Sequence, residues 1–468
     1  MTGSAAGDDR GAMSAGLWGG RFAEPPAEAL QRLNRSLAFD WHLWPYEIRV
    51  DRAWVDELER IGTLGPEDAS LLRTGLDEVE ARLADAGPAV ADEPDEDVHS
   101  LIERWLEVEI GPVASNLRLG RSRNDVVATD TRLWARDAVG RADAAMAALL
   151  EAMLDTAERL MDVVIPAYSH LQQAQPTRTA HWLLSHFWPL ARNRERLAQA
   201  AARMDRMPLG SAAGMGTTLP VDRDRLAEAL GFEAPTENSL DGVGARDWTA
   251  ELLYVWTQTA IDLTRLAEDL VIYTSKEFSL LRISDQFSTG SSLMPQKRNP
   301  DGAELARASG GVLLGTLTGF LATLKGLPTG YNKDLQDDKV ALTSAERRLT
   351  DTLAVLAGTV ATLEPGDGAG GGDPAALATD VADWLVEQGM TFKQAHDAAG
   401  ALVRRAEELG VTAAELDEEA RRGVAPQLGD LPPDIWDAEA AVEKRVASGG
   451  PARDSVADAL GRARATLA

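Results

Sequence analysis

Leu252, Trp256, Thr259, Leu263, Leu266, Leu270 and Tyr273 follow one another in alternating steps of four and three, a seven-residue repeat that a long α-helix places on one face. Leu342, Ala345, Leu349, Leu353, Leu356, Val360 and Leu363 nearly repeat the pattern, and Met146, Leu149, Met153, Leu160 and Met161 mark a third stripe. Each striped helix has to cover its apolar face, and helices packed side by side do so. Period-two runs of β-branched residues are hard to find, whereas Ala, Leu, Glu and Arg dominate. The expectation is an all-α protein built on a central long-helix bundle, its leucines and methionines serving as core.

A chain of 468 residues exceeds what one hydrophobic core usually supports, and breaks in composition divide it. Residues 1–16 are mostly small and polar, with Asp8 and Asp9 among them, and read as a disordered tail. Glu364–Pro374 holds five glycines and two prolines and reads as a Gly-rich linker. A phosphate-binding loop there lacks the lysine and hydroxyl that should follow. Three helical domains are therefore expected: 17–119 at the N-terminus, the bundle over 120–363, and 375–468 at the C-terminus. Asn299 is expected to cap the helix after Lys297, with Pro300 at its first position and Asp301 and Glu304 in its opening turns.

The 74 acidic and 47 basic side chains leave a net charge of -27, which repels nucleic-acid phosphates and anionic membranes. Only seven of the basic residues are lysines, a bias that fits either a high-salt cytoplasm or a GC-rich genome. With no cysteine the chain has no disulfide, thiolate nucleophile or zinc knuckle. Acids stand where a secretory signal would carry lysine or arginine, and no apolar run approaches a membrane span. A soluble cytoplasmic protein is expected.

Among the six histidines, His181 and His186 lack the spacing and glutamate of a metalloprotease site, and His42 and His99 read as scaffold. His170 differs: it lies in the polar stretch Ala167–Pro176, at an element boundary where catalytic groups collect. Thr289–Pro300 packs hydroxyls, prolines and two cations between helical segments; by itself this fits either a catalytic serine with its lysine or an ordinary exposed loop. Gly120–Asp125 brackets hydroxyl and amide donors with two arginines, a cradle for a carboxylate or phosphate. Four of the seven lysines fall between Lys297 and Lys339, which marks an anion site.

Taken together these segments resemble the aspartase/fumarase superfamily and, within it, the argininosuccinate lyase family. GSSLMPQKRNP (290–300) is similar to the superfamily signature GSSxMPxKxNP; GRSRND (120–125) and SHLQQAQP (169–176) resemble blocks of the argininosuccinate lyases. LWGGRF, LNRSLAFD, EDVHSLIE, GYNKDLQDDK and ALATDVADWLV follow in the family's order, so the resemblance covers roughly residues 17–465.

The resemblance implies a C–N lyase that carries out the reversible anti elimination of argininosuccinate to arginine and fumarate, a step of arginine biosynthesis. It implies Ser291 as the base that takes the Cβ proton, with Lys297 and Asn299 holding the aci-carboxylate intermediate. His170, with Ser169 and oriented by Glu304, would protonate the departing guanidino nitrogen. Ser36, Asn124, Ser169, Tyr331, Gln336 and Lys339 match substrate-contact positions, with Arg121 and Arg123 nearby. No metal or organic cofactor is implied, and the partner is a small-molecule substrate bound by a homotetramer whose active sites are shared between subunits. Two departures stand out. Where the family reads HTGRSRNDQ this chain has Arg118, Leu119 and Val126 for the histidine, threonine and glutamine, and Ser169 replaces the threonine of THLQ. A lyase for a different N-substituted aspartate, a non-catalytic structural paralogue and a nucleic-acid-binding bundle are the other readings.

Overall fold

The computed structural model describes residues 26–467; the expected tail and the LWGGRF segment lie outside the described residues. The chain forms two compact units, one of the residues up to Trp134 with Arg206–Val243, the other of Ala135–Asp205 with Gly244–Ala468. Both are helical, as the stripes require.

In the first unit the helices Trp44–Arg60, Pro66–Ala86 and Val98–Ile110 pack on one another around Ile48, Trp54, Leu72, Leu76, Leu101 and Ile102, all but excluded from solvent. Their starts are specified locally. Pro66 opens the second helix with Glu67 and Asp68 in its first turn, and Asp97 caps the third by accepting the Ser100 N–H at 2.8 Å.

In the second unit Asp247–Tyr273 packs against Thr179–Met204, Asp301–Leu324 and Asp338–Ala361. Every member of the three stripes is buried, so the repeat read from sequence is the core of this unit. The 37-residue helix Arg123–Arg159 contributes residues to both units. The units are drawn differently from the expected domains. Arg206–Val243 clusters with the N-terminal helices, and the residues after 374 cluster with the bundle while keeping a small core of their own from Val381 to Ile435.

Two local expectations need correction. The glycine-rich segment is not a loose linker. Glu364 and Pro365 pair with Arg282 and Leu281, and the N–H groups of Gly366, Gly368 and Gly370 donate to Leu280, Ser279 and Val164. Here glycine permits backbone to lie against backbone: a Cβ on Gly366 would stand 2.0 Å from the Ser279 carbonyl oxygen. Gly366→Ala is therefore expected to cost about 1–3 kcal/mol, read as a lower thermal midpoint. The bundle helix Asp301–Leu324 is long and apolar enough to cross a membrane by length and composition alone, with mean hydropathy 1.3 over its most apolar 18 residues. Last, that helix starts one residue later than expected. Pro300 occupies the cap position without a side-chain cap bond, and the backbone of Asn299 instead pairs with Thr289.

Among the described residues β-structure is confined to short two-stranded ladders. The longest, Val164–Ser169 with Gln172–Arg178, is a hairpin in the segment where sequence indicated only an element boundary.

Candidate active site

The hairpin pairs Ser169 with Gln172, leaving His170 and Leu171 as its two-residue turn. Both turn residues are left-handed, at φ 57° and 56°, the geometry that matches strand twist but is ordinarily filled by glycine or asparagine. Two side chains held in this region store of order 1–3 kcal/mol each, and such strain concentrates at functional sites. The turn pushes His170 and Ser169 into solvent.

Ser291 stands in the exposed loop between the paired dipeptides Thr289–Gly290 and Arg298–Asn299. Its Oγ accepts the N–H groups of Leu293 at 3.2 Å and Met294 at 3.0 Å. Two donors aimed at one hydroxyl oxygen favour its deprotonated form. Lys297 is exposed, and its ammonium has no partner among the described residues. The helix Asp301–Leu324 begins directly after the loop and adds the positive end of its dipole. Glu304 is exposed in the first turn, 3.9 Å from Arg307. Among the described residues no hydrogen bond or ion pair joins Ser291, His170 and Glu304, so the expected orientation of His170 by Glu304 is not made within one chain.

Tyr331 and Gln336 are partly buried and Lys339 is buried. Lys339 donates to Gln336 and lies 3.7 Å from Asp338, which is in turn paired with Arg246 at 2.5 Å.

Ser36, Asn124, Arg121 and Arg123 fall in the first unit. The Ser36 hydroxyl donates to Asp40 at 2.5 Å inside the protein. Asn124 is partly exposed, and its amide has no hydrogen bond among the described residues, which leaves it open to a ligand. Arg121 is not open: its side chain is 5% exposed and ion-paired to Asp51 at 2.6 Å. Arg123 is held by Asp97 at 2.7 Å and Ser100 at 3.0 Å. Burial raises Asp97, but Arg123, His99 and the Ser100 N–H outweigh it and hold the carboxyl below its ordinary range.

Behind Arg121, the buried Glu47, His99 and Asp130 place ligand atoms within 4.8 Å of one another and could hold a metal by distance alone. Their electrostatics describe a charge-compensated network instead. His99 Nδ1 lies 2.8 Å from Glu47; burial acts against both charges, yet each stabilises the other, so Glu47 is held down and His99 up. Asp130 is raised well above its ordinary value by burial and by Glu47. His181 and His186 are likewise engaged, with Thr177 and Asp269. A groove of about 760 Å³ lined by Arg136, Trp188, Arg192 and Thr466 holds none of the expected site residues.

A family described as "Lyase" matches residues 20–315, and one described as "Argininosuccinate lyase C-terminal" matches residues 375–443. The argininosuccinate lyase of Roseiflexus sp. (strain RS-1) is 45% identical over 96% of this chain and 99% of its own length. The chain belongs to the argininosuccinate lyase family. The argininosuccinate lyase of Mycolicibacterium gilvum (strain PYR-GCK) is also 45% identical, over 96% of each chain. Among solved structures, EDDS lyase in complex with formate aligns with TM-score 0.78 and 28% identity, covering 91% of this chain and 86% of that one. Fumarate lyase from Mesorhizobium sp. BNC1 shares the fold, with TM-score 0.73 and 18% identity over 94% of this chain and 99% of that one.

Within the family the departures have local partners. Arg118 is tied to Glu103, Leu119 accepts the Trp54 indole N–H through its carbonyl at 3.0 Å, and Val126 is core. Sequence reasoning missed Asp125, which receives three main-chain N–H groups; Ser122-Arg123-Asn124-Asp125 carries the hydroxyl-x-x-acid signature of a capping box that could have flagged it. Arg246 had no such signal.

Proposed function

We propose that this chain catalyses the reversible anti elimination of argininosuccinate to L-arginine and fumarate, as a cytoplasmic enzyme of arginine biosynthesis. The observation that carries the reading is the Ser291 hydroxyl, which accepts two N–H groups at 3.2 and 3.0 Å in the loop that also carries Lys297, in a chain of this family. Ser291 takes the Cβ proton as an alkoxide stabilised by the Leu293 and Met294 N–H groups, Lys297 and the helix start. Lys297 and Asn299 hold the aci-carboxylate, whose added charge is the main feature to be stabilised. His170, presented with Ser169 on its strained turn, protonates the departing guanidino nitrogen. Ser36, Asn124, Tyr331, Gln336 and Lys339 bind the substrate, with Arg121 and Arg123 nearby.

The active enzyme in this reading is a homotetramer in which neighbouring subunits complete each site, Glu304 of one chain meeting His170 of another. The apolar face of Asp301–Leu324 supports it: Leu305, Val312, Leu314 and Leu321 are 48–60% exposed, and a Cβ on Gly311, Gly315 or Gly319 would meet nothing within 4 Å. A partner helix can approach such a face closely, which also accounts for the hydropathy of this helix. Leu314→Glu is expected to dissociate the oligomer and lower activity with it, seen by light scattering coupled to size exclusion. A tetramer of unchanged mass and rate would count against the shared-site reading.

The test of the function is fumarate release followed by ultraviolet absorbance, at low and at molar potassium chloride. Fumarate with stoichiometric arginine is the expected result. A folded oligomer that gives none at either salt, yet releases fumarate from another N-substituted aspartate, would transfer the assignment to that substrate.

A further inference from the structure

A carboxylate without an assigned role sits behind the Gly120–Asn124 turn. Asp125 is 0% exposed and lies in the first turn of Arg123–Arg159. Ser122 donates its N–H to Oδ1 at 3.0 Å, and Gly210 and Ala212 donate theirs to Oδ2 at 2.9 and 2.7 Å. One side chain thereby joins the turn that carries Asn124 to a loop 85 residues further along the chain.

That loop is built with unusual care. Gly210, Ala212, Gly214 and Gly216 are all left-handed, at φ 84°, 49°, 108° and 74°, and Ala212 pays the steric cost that the glycines avoid. From the other side the Arg223 guanidinium donates to the carbonyl oxygens of Leu209 and Thr236 at 2.9 Å each and to the Thr236 hydroxyl at 2.9 Å. The loop closes on the turn as well: a Cβ on Gly120 would stand 2.4 Å from Leu219 and 2.7 Å from Thr217. An ordinary connection needs neither a buried carboxylate nor a partly buried guanidinium that holds its carbonyl groups.

We propose that Asp125 is a positioning residue for the elimination: by clamping Ser122 to Gly210 and Ala212 it fixes the turn from which Asn124 presents its amide to the substrate. The proposal rests on the function argued above, in which Asn124 touches substrate. An ionised carboxylate can accept all three N–H groups, whereas the amide of an asparagine would turn a donor toward at least one of them. Burial pushes Asp125 up to about 6 against the pull of these N–H groups and Arg121, with Arg223 the other cation in its field. The clamp is therefore complete above about pH 6 and loosens below it.

Asp125→Asn in the full chain is expected to raise KM for argininosuccinate about tenfold with a smaller fall in kcat, and to weaken the acid limb of kcat/KM near pH 6 relative to wild type. Asn124→Ala should raise KM similarly, and the double variant should add little to either. An unchanged KM for Asp125→Asn, or effects of the two substitutions that multiply independently, overturns the proposal. If Asp125→Asn does not fold, hydrogen exchange of wild type decides. After correction for intrinsic rates, the Gly210 and Ala212 amides should lose protection on passing below about pH 6, and constant protection overturns the clamp. Failure of wild type to release fumarate would instead strike the functional reading and leave the exchange result standing.

Discussion

Ser291→Ala is expected to lower fumarate release by at least about 10³-fold, with oligomer size and thermal midpoint unchanged. The asymmetry follows from where the hydroxyl sits. Its two N–H donors belong to an exposed loop, so water replaces the lost acceptor at little cost to stability. In the proposed transition state nothing replaces it, because in that reading the lost oxygen is the one that takes the proton. Steady-state rates by ultraviolet absorbance, with Ser292→Ala as the neighbouring control, distinguish the two hydroxyls. Near-wild-type turnover for Ser291→Ala would mean that the base is a different group.

Arg246→Leu should produce the largest loss of stability, about 3–5 kcal/mol, because it strands a charge. The side chains of Arg246 and Asp338 are both 0% exposed and meet at 2.5 Å, so removal of the guanidinium leaves a buried carboxylate with Lys339, at 3.7 Å, as its remaining charged neighbour among the described residues. Lys339 would be drawn toward Asp338 and away from Gln336, and substrate binding should weaken together with stability. The double variant Arg246→Leu/Asp338→Leu should recover part of the loss, since neither charge is then left alone. Thermal and denaturant unfolding of the two variants beside wild type check this, and wild-type stability in Arg246→Leu would refute it.

How much of this could be read from the chain depends on the range of the interactions. The stripes through Leu252–Tyr273 and Leu342–Leu363 are buried throughout, because a seven-residue repeat is a local pattern with only one way to cover itself. The Ser291 loop was legible as a motif, but its hairpin ladder was not, since Thr289–Gly290 and Arg298–Asn299 are too short to show a strand period. The His170 turn escaped notice for a related reason: its two left-handed positions hold histidine and leucine rather than the residues that signal a tight hairpin. Arg121 looked like a ligand-binding arginine because sequence cannot show that Asp51 already holds it. Arg246 with Asp338, and Asp125 with Gly210, pair residues far apart in the chain, and no local pattern announces such partners.

The pinned glycine segment bears on how the molecule would fail under proteolysis. In a chain of tethered domains, a stretch such as Gly366–Gly372 would be the first place cut. Here its amides bond to Leu280, Ser279 and Val164, and the Asp373 N–H bonds to Gln173 at 2.9 Å on the hairpin that carries His170. The more open backbone is Ser292–Arg298, with the Leu293 side chain 83% exposed. A single nick there would separate the Ser291 hydroxyl from Lys297 while both compact units keep their cores, so a digested sample would lose turnover well before it lost its helices.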